Sequence, residues 1–146
     1  MISSEVKEWF IFGAFIILLN IFPITRVSGY SMLPSYREND LVIAQRFISN
    51  IERGDVIICK TEVDGVNKRM IKRVAGIPGD EIREVQGWLL INGINVGSSH
   101  FGGYSYKLNE SQYFIMGDNE ENSVDSRYFG PISREEIIGK VIIKTE

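Results

Sequence analysis

Two short segments of this chain hold residue types suited to nucleophilic catalysis. The first is Gly29-Tyr30-Ser31-Met32-Leu33-Pro34. Its glycine allows a substrate to approach the backbone closely, and its proline restrains the chain just after the serine. Serine, glycine and proline also cluster in ordinary loops, so this segment alone leaves the plain-loop reading open. The second is Arg69-Met70-Ile71-Lys72-Arg73-Val74-Ala75-Gly76. On a strand, side chains alternate between faces, which puts Met70, Lys72 and Val74 on one face. An amine between two apolar neighbours loses hydration, and its pKa falls from the ordinary lysine value of about 10.4. A general base needs that fall, because it must be neutral when it takes a proton. The opposing reading is a lysine that snorkels to solvent. A neutral lysine can stand in for histidine beside a serine, so Ser31 and Lys72 together make a candidate nucleophile and base.

The rest of the composition narrows the search. The chain has 146 residues and a net charge of -3, with 16 Lys and Arg against 19 Asp and Glu. Basic residues are spread along it, so no electrostatic footprint for nucleic acid is visible. Its one histidine, His100, lies in the loop-like run Gly97-Ser98-Ser99-His100-Phe101-Gly102-Gly103, where a solvated role is the better reading than a catalytic one. Its one cysteine, Cys59, lies in the apolar run Val56-Ile57-Ile58-Cys59 and reads as a small core residue. An internal disulfide and a Cys/His zinc cluster are therefore both out of reach. No metal and no organic cofactor is expected.

The elements that must carry these residues fall into two parts. The run Trp9–Ile24 is free of charge and has no polar face, which suggests an uncleaved membrane anchor over residues 9–25 behind a short segment 1–8. A cleaved signal peptide fits less well, since residues 1–8 are not basic and no small-x-small site follows the apolar run. From residue 26 to 146 the pattern is β-rich. Strands are expected over Leu41–Phe47, Asp55–Lys60, Arg69–Val74, Glu81–Val85, Trp88–Ile91, Tyr113–Met116 and Lys140–Lys144. Ile77-Pro78-Gly79-Asp80 reads as a tight turn and Asn92-Gly93 as a hairpin tip. Ser133-Arg134-Glu135-Glu136 has capping-box spacing, and nothing else beyond residue 26 looks helical. The expected fold is all-β, a coiled or barrel-like antiparallel sheet, with a smaller excursion at about residues 83–112.

Taken together, these residues resemble the type I signal peptidases of bacteria, in their compact Gram-positive form. The resemblance covers nearly the whole chain and keeps four boxes in order behind an apolar anchor. They are Val27-Ser28-Gly29-Tyr30-Ser31-Met32-Leu33-Pro34-Ser35, Arg53-Gly54-Asp55-Val56-Ile57, Lys72-Arg73-Val74-Ala75-Gly76-Ile77-Pro78-Gly79-Asp80, and Gly117-Asp118-Asn119-Glu120-Glu121-Asn122-Ser123-Val124-Asp125-Ser126-Arg127-Tyr128-Phe129-Gly130. The resemblance implies a serine endopeptidase that removes signal peptides from exported preproteins after small residues, of Ala-x-Ala type. Ser31 would be the nucleophile, Lys72 the general base and Ser123 the residue that orients the lysine. The backbone N–H of Ser31 would form part of the oxyanion hole. Val27, Met32, Met70 and Ile71 would line shallow substrate pockets, and Arg73, Asp118, Asp125 and Arg127 would hold the site together. The partners implied are preprotein signal peptides and the lipid bilayer, with a single-pass protein in the cytoplasmic membrane and its catalytic domain on the extracellular face.

Three positions depart from the family pattern. Ser35 stands where threonine is usual, and Glu120 where arginine is usual. Gly29 stands where some relatives have a serine that completes the oxyanion hole. Two other readings are open at this stage. One is a signal-peptidase-like assembly factor, or an enzyme dedicated to one substrate class such as pilins. The other is a self-cleaving regulator of the LexA type, which fits less well because an apolar run precedes Ser31 and no Ala-Gly or Cys-Gly site does.

Overall fold

The structure, a computed structural model, describes residues 4–99 and 102–145. His100 lies outside the described residues. The chain opens with helix α1 (Ser4–Ile21), followed by a short strand β1 (Ile24–Arg26). The apolar run is thus divided, in contrast to one expected segment over 9–25. Pro23 has no N–H to donate and disfavours helical backbone at Phe22, so the helix stops at Ile21. Ile24 and Thr25 then join the β body. The Arg46 amide donates to the Ile21 carbonyl (3.0 Å) and the Ala44 amide to that of Pro23 (3.0 Å), which ties the helix end to the sheet. Among the described residues, no helix is long and apolar enough to cross a membrane. The charges at Glu5, Lys7 and Glu8 fall within the first turns of α1.

The strands that follow are β2 (Leu41–Gln45), β3 (Val56–Val63), β4 (Val66–Gly76), β5 (Glu81–Val85), β6 (Trp88–Ile91), β7 (Ile94–Ser98), β8 (Ser105–Lys107), β9 (Gln112–Met116), β10 (Ile132–Ser133) and β11 (Ile137–Thr145). They form two antiparallel sheets. The larger has the order β1-β2-β11-β3-β4-β9-β10, the smaller β7-β6-β5-β8. The larger sheet is open, with β1 and β10 at its ends. Register shifts in β11 (Ile137/Gly139 and Val141/Ile143) and in its β4–β9 pairing (Val74/Gly76) mark bulges, which bend and twist a sheet. The expected excursion is the smaller sheet, and it begins at Glu81.

Strand β9 explains how the two sheets share one body. Tyr113 and Ile115 pack with Ile57, Cys59 and Val74 in the core of the larger sheet. The alternate residues Phe114 and Met116 pack with Ile82, Leu89, Ile91 and Leu108 in a second core beside the smaller sheet. A strand buried on both faces reads as a continuous apolar run, as Tyr113–Met116 does. Gly76 lies at the junction. A Cβ there would lie 3.0 Å from the Phe114 Cβ and 3.1 Å from a Leu108 methyl, a tight fit that glycine relieves where β4 meets β9.

The turn signals read from the sequence form as expected. The Asp80 amide donates to the Ile77 carbonyl (3.1 Å) with Gly79 at φ 91°. Ser133 caps a 3-10 turn at Arg134–Glu136, and its amide donates to Glu136 Oε2 (2.6 Å). The expectation of no other helix beyond residue 26 is corrected by a 3-10 turn at Glu120–Asn122 and a one-turn helix α2 (Ser126–Phe129). The Asp125 side chain caps α2 by accepting from the Arg127 amide. Such short elements have no apolar periodicity, and the cap is their main local signal.

Asp125 and Arg127 are both buried, with side-chain exposures of 0% and 7%. Nε and Nη2 of Arg127 donate to the two carboxylate oxygens at 2.9 and 2.8 Å. Removing one partner strands the other charge in the interior, at a cost of about 3–5 kcal/mol. Arg127→Met should lower the unfolding free energy by about that amount in urea titrations in detergent. The Asp125→Asn/Arg127→Met double variant should recover part of the loss; equal stability of Arg127→Met and wild type would contradict this account.

Candidate active site

Ser31 lies in the loop that leaves β1, between the buried side chains of Val27 (3% exposed) and Met32 (1%). The Val27 amide donates to the Asp40 carbonyl (2.8 Å) and the Asn39 amide returns to the Val27 carbonyl (2.9 Å), which closes the loop at its base. The Asn119 amide donates to the Ser31 carbonyl (3.0 Å), and Asn119 Nδ2 to the Tyr30 carbonyl (3.1 Å). Neighbouring Gly117 makes this approach possible. A Cβ there would lie 2.5 Å from the Ser31 carbonyl oxygen and would also overlap the Ser123 side chain.

Lys72 projects from β4 opposite Ile57 on β3, and it is 3% exposed. Its Nζ donates to Ser31 Oγ at 2.7 Å, a separation across which a proton can pass in either direction. No carboxylate lies within ion-pair distance of Nζ among the described residues. Burial pushes the pKa of Lys72 below the ordinary lysine value. The Asp125 carboxylate pulls it back up in part, and Arg127 pushes it down again. Cys59 is fully buried, and burial pushes its thiol up to about 12, so no thiolate forms near neutral pH.

The segment from Gly117 to Gly130 supplies the surroundings. Asp118 forms a two-pronged pair with Arg73, Oδ1 to Nε at 2.8 Å and Oδ2 to Nη2 at 2.7 Å. The Ser35 hydroxyl also hydrogen-bonds Asp118. Burial alone would raise the Asp118 pKa, but Arg73 and Ser35 hold it below the usual carboxylate value. Asp125 accepts from the Ser123 hydroxyl (2.6 Å), the Gly117 amide (2.9 Å) and Arg127. Burial would raise its pKa too, and these donors reverse that shift. Ser123 thus donates to Asp125, while the hydrogen bond of Lys72 goes to Ser31.

A cleft of about 190 Å³ opens beside the pair, and Ser31 and Lys72 both line it. Val27, Met70 and Ile71 line it as well, whereas the buried Met32 does not. Val42 and Ile58 are lining residues that sequence reasoning missed; each sits in an apolar strand whose face toward a cleft no pattern marks. The Ser31 N–H donates to no group among the described residues. The Gly29 N–H is occupied by Glu38 Oε2 (2.7 Å). Among the described residues, no group of three or more His, Cys, Asp or Glu side chains is placed to hold a metal ion.

The chain is similar to several known proteins. The chain is 31% identical over 131 residues to the probable signal peptidase I-2 of Synechocystis, an alignment covering 81% of this chain and 60% of that protein. It is 30% identical over 164 residues to signal peptidase I V of Bacillus subtilis, covering 92% of this chain and 96% of that one. The fold is similar to the crystal structure of a signal peptidase I from Enterococcus faecalis V583, with a TM-score of 0.50 and 24% identity over 66% of this chain and all of that one. Residues 5–145 match the family described as signal peptidase, peptidase S26, and the chain belongs to that family.

Proposed function

We propose that this protein is a signal peptidase that cuts preproteins through an acyl-enzyme on Ser31, with Lys72 as the general base. The observation that carries this reading is the 2.7 Å contact between Lys72 Nζ and Ser31 Oγ, made by a lysine that is 3% exposed. Neutral Lys72 takes the hydroxyl proton as Ser31 Oγ attacks the carbonyl carbon of the scissile bond. The tetrahedral oxyanion is stabilised in part by the free Ser31 N–H, since donors aimed at developing charge are worth most in a dry site. Collapse expels the amine, which takes its proton from the Lys72 ammonium. A water molecule then gives a proton to the neutral lysine and attacks the ester, and the lysine returns that proton to Ser31 Oγ as it leaves. Ser123 contributes indirectly by anchoring on Asp125, whose charge acts on Lys72.

The cleft walls of Val27, Met70 and Ile71 suit small side chains before the cut, because a larger one would clash. The exposed apolar surface of helix α1 supports a membrane anchor; the cytoplasmic membrane, with the catalytic body on its outer face, follows from the signal peptidase reading. Its side chains are exposed all round, with Trp9 at 73%, Phe10 at 71% and Ile11 at 70%. Water is a poor solvent for such a surface. The uncharged part, Trp9–Ile21, rises about 20 Å against a hydrocarbon core of about 30 Å, so anchoring calls on snorkelling Lys7 and a locally thinned bilayer.

The test is cleavage of a preprotein with an Ala-x-Ala site by the full chain in detergent and lipid. Wild type should cleave, and Ser31→Ala and Lys72→Ala should each lose at least about 10²–10⁴-fold in kcat/KM while staying folded. A folded but inactive wild type would sink the reading. The pH dependence gives a separate check. Protonated Lys72 cannot accept a proton, so kcat/KM should fall as pH drops through the lysine pKa. Because burial lowers that pKa, the midpoint of this limb should lie clearly below about 10.4, and a midpoint at the ordinary lysine value would remove Lys72 from the role of base.

A further inference from the structure

The turn at Glu120–Asn122 touches the smaller sheet on one side and the nucleophile loop on the other. Glu120 Oε2 accepts from both the amide and the hydroxyl of Ser98, at 3.2 and 3.1 Å. Ser98 ends β7, at the edge of the smaller sheet. Arg127 closes the junction: its Nη1 donates to the Ser98 carbonyl (3.3 Å) and its Nη2 to the Glu120 carbonyl (3.2 Å), while Nη1 lies 3.8 Å from Glu120 Oε2. Gly97 provides the seat for the carboxylate. A Cβ at Gly97 would lie 2.9 Å from Glu120 Cδ, and its φ of +147° favours glycine. The residue before Glu120 is Asn119, whose amide and side chain hold the Ser31 and Tyr30 carbonyls.

We propose that Glu120 is a positioning residue that pins this turn to the smaller sheet and so fixes Asn119 against the nucleophile loop. Its effect on catalysis rests on the signal peptidase reading; the mechanical coupling does not. A carboxylate suits the position because it accepts from two donors at once beside the buried Arg127 guanidinium. Alanine at 120 leaves both Ser98 donors without this acceptor. Glutamine keeps one acceptor oxygen of the same reach, removes the charge and puts an NH2 donor in place of the second oxygen.

The experiment compares wild type, Glu120→Ala, Glu120→Gln and Gly97→Ala as full chains in detergent, by amide hydrogen exchange and by preprotein cleavage. Glu120→Ala should speed exchange of the Asn119 amide about tenfold, the scale of one lost hydrogen bond. It should lower kcat about tenfold per folded molecule with KM within about twofold, since the loop is displaced and the cleft kept. Glu120→Gln should restore most of both, and Gly97→Ala, which displaces the carboxylate without removing it, should reproduce Glu120→Ala. Unchanged Asn119 exchange in Glu120→Ala overturns the coupling whatever the activity. Faster exchange with unchanged kcat overturns the positioning role. Equal losses in the Gln and Ala variants, with a matching fall in Tm, overturn it in favour of charge-based stability. If wild type fails to cleave, the signal peptidase reading falls, and the exchange data still decide the coupling.

Discussion

A buried amine without a carboxylate partner is costly, and the structure around Lys72 is arranged to bear that cost. An ammonium at this depth would lose most of its hydration, so burial shifts the balance toward the neutral form. That preference is useful only if the amine has one well-placed partner, and Ser31 Oγ is that partner. A carboxylate in direct contact would shift the balance back toward the ammonium. Asp118 and Asp125 are nearby yet fully engaged elsewhere, the first by Arg73 and Ser35, the second by Arg127, Ser123 and the Gly117 amide. Each arginine therefore does two things: it neutralises a carboxylate that would otherwise attract the lysine proton, and it locks a segment of backbone.

That division explains why the long segment from Gly117 to Gly130 is so dense in polar contacts. It must carry two carboxylates close to Lys72 without giving either to it. It must also pass close enough to hold the Ser31 loop, which the absent Cβ of Gly117 permits. Burying an Asp–Arg pair gains little over well-packed apolar residues, so stability alone is a weak reason for Asp125 and Arg127. Geometry is a better one. A bidentate pair fixes the orientation of both groups, and here it fixes α2, the Ser123 hydroxyl and the Ser98 edge of the smaller sheet in one arrangement.

How much of this was legible in the sequence follows the range of each interaction. The alternation Met70-Lys72-Val74 put the lysine on an apolar face, because strand periodicity is local, but left open whether its amine turned to solvent. The turns at Pro78-Gly79 and Asn92-Gly93 were legible for the same reason, as was the cap at Ser133. Strand β1 was hidden because its residues continue an apolar run, and only Pro23 marked the break. The turn at Glu120 and the helix at Ser126 were missed because each is one turn long. The contact between Lys72 and Ser31 joins residues from separate strands and loops, so periodicity offered a lysine and a serine but not their meeting; the family resemblance supplied that expectation. Met32 reads as a pocket residue in the box that holds Ser31, yet the chain buries it as the loop's anchor.

The short path from α1 to Ser31 constrains what the site can reach. Ser31 lies ten positions beyond Ile21, and an extended chain of that length spans at most about 36 Å. The fold shortens the path further, since β1 is paired to β2 and the Val27 backbone is bonded to Asp40 and Asn39. Ser31 is thus carried on the loop that leaves β1, with no intervening domain. On the proposed reading, a substrate whose own apolar segment lies in the same bilayer would present its cut site at this height. Tethering both partners to one surface replaces a three-dimensional search by a local one, which raises their effective concentration without any added contact. A shallow cleft of about 190 Å³ would then suffice, because specificity and affinity need not both come from the pocket. On that reading the pocket would choose among side chains, while the shared membrane would supply the encounter.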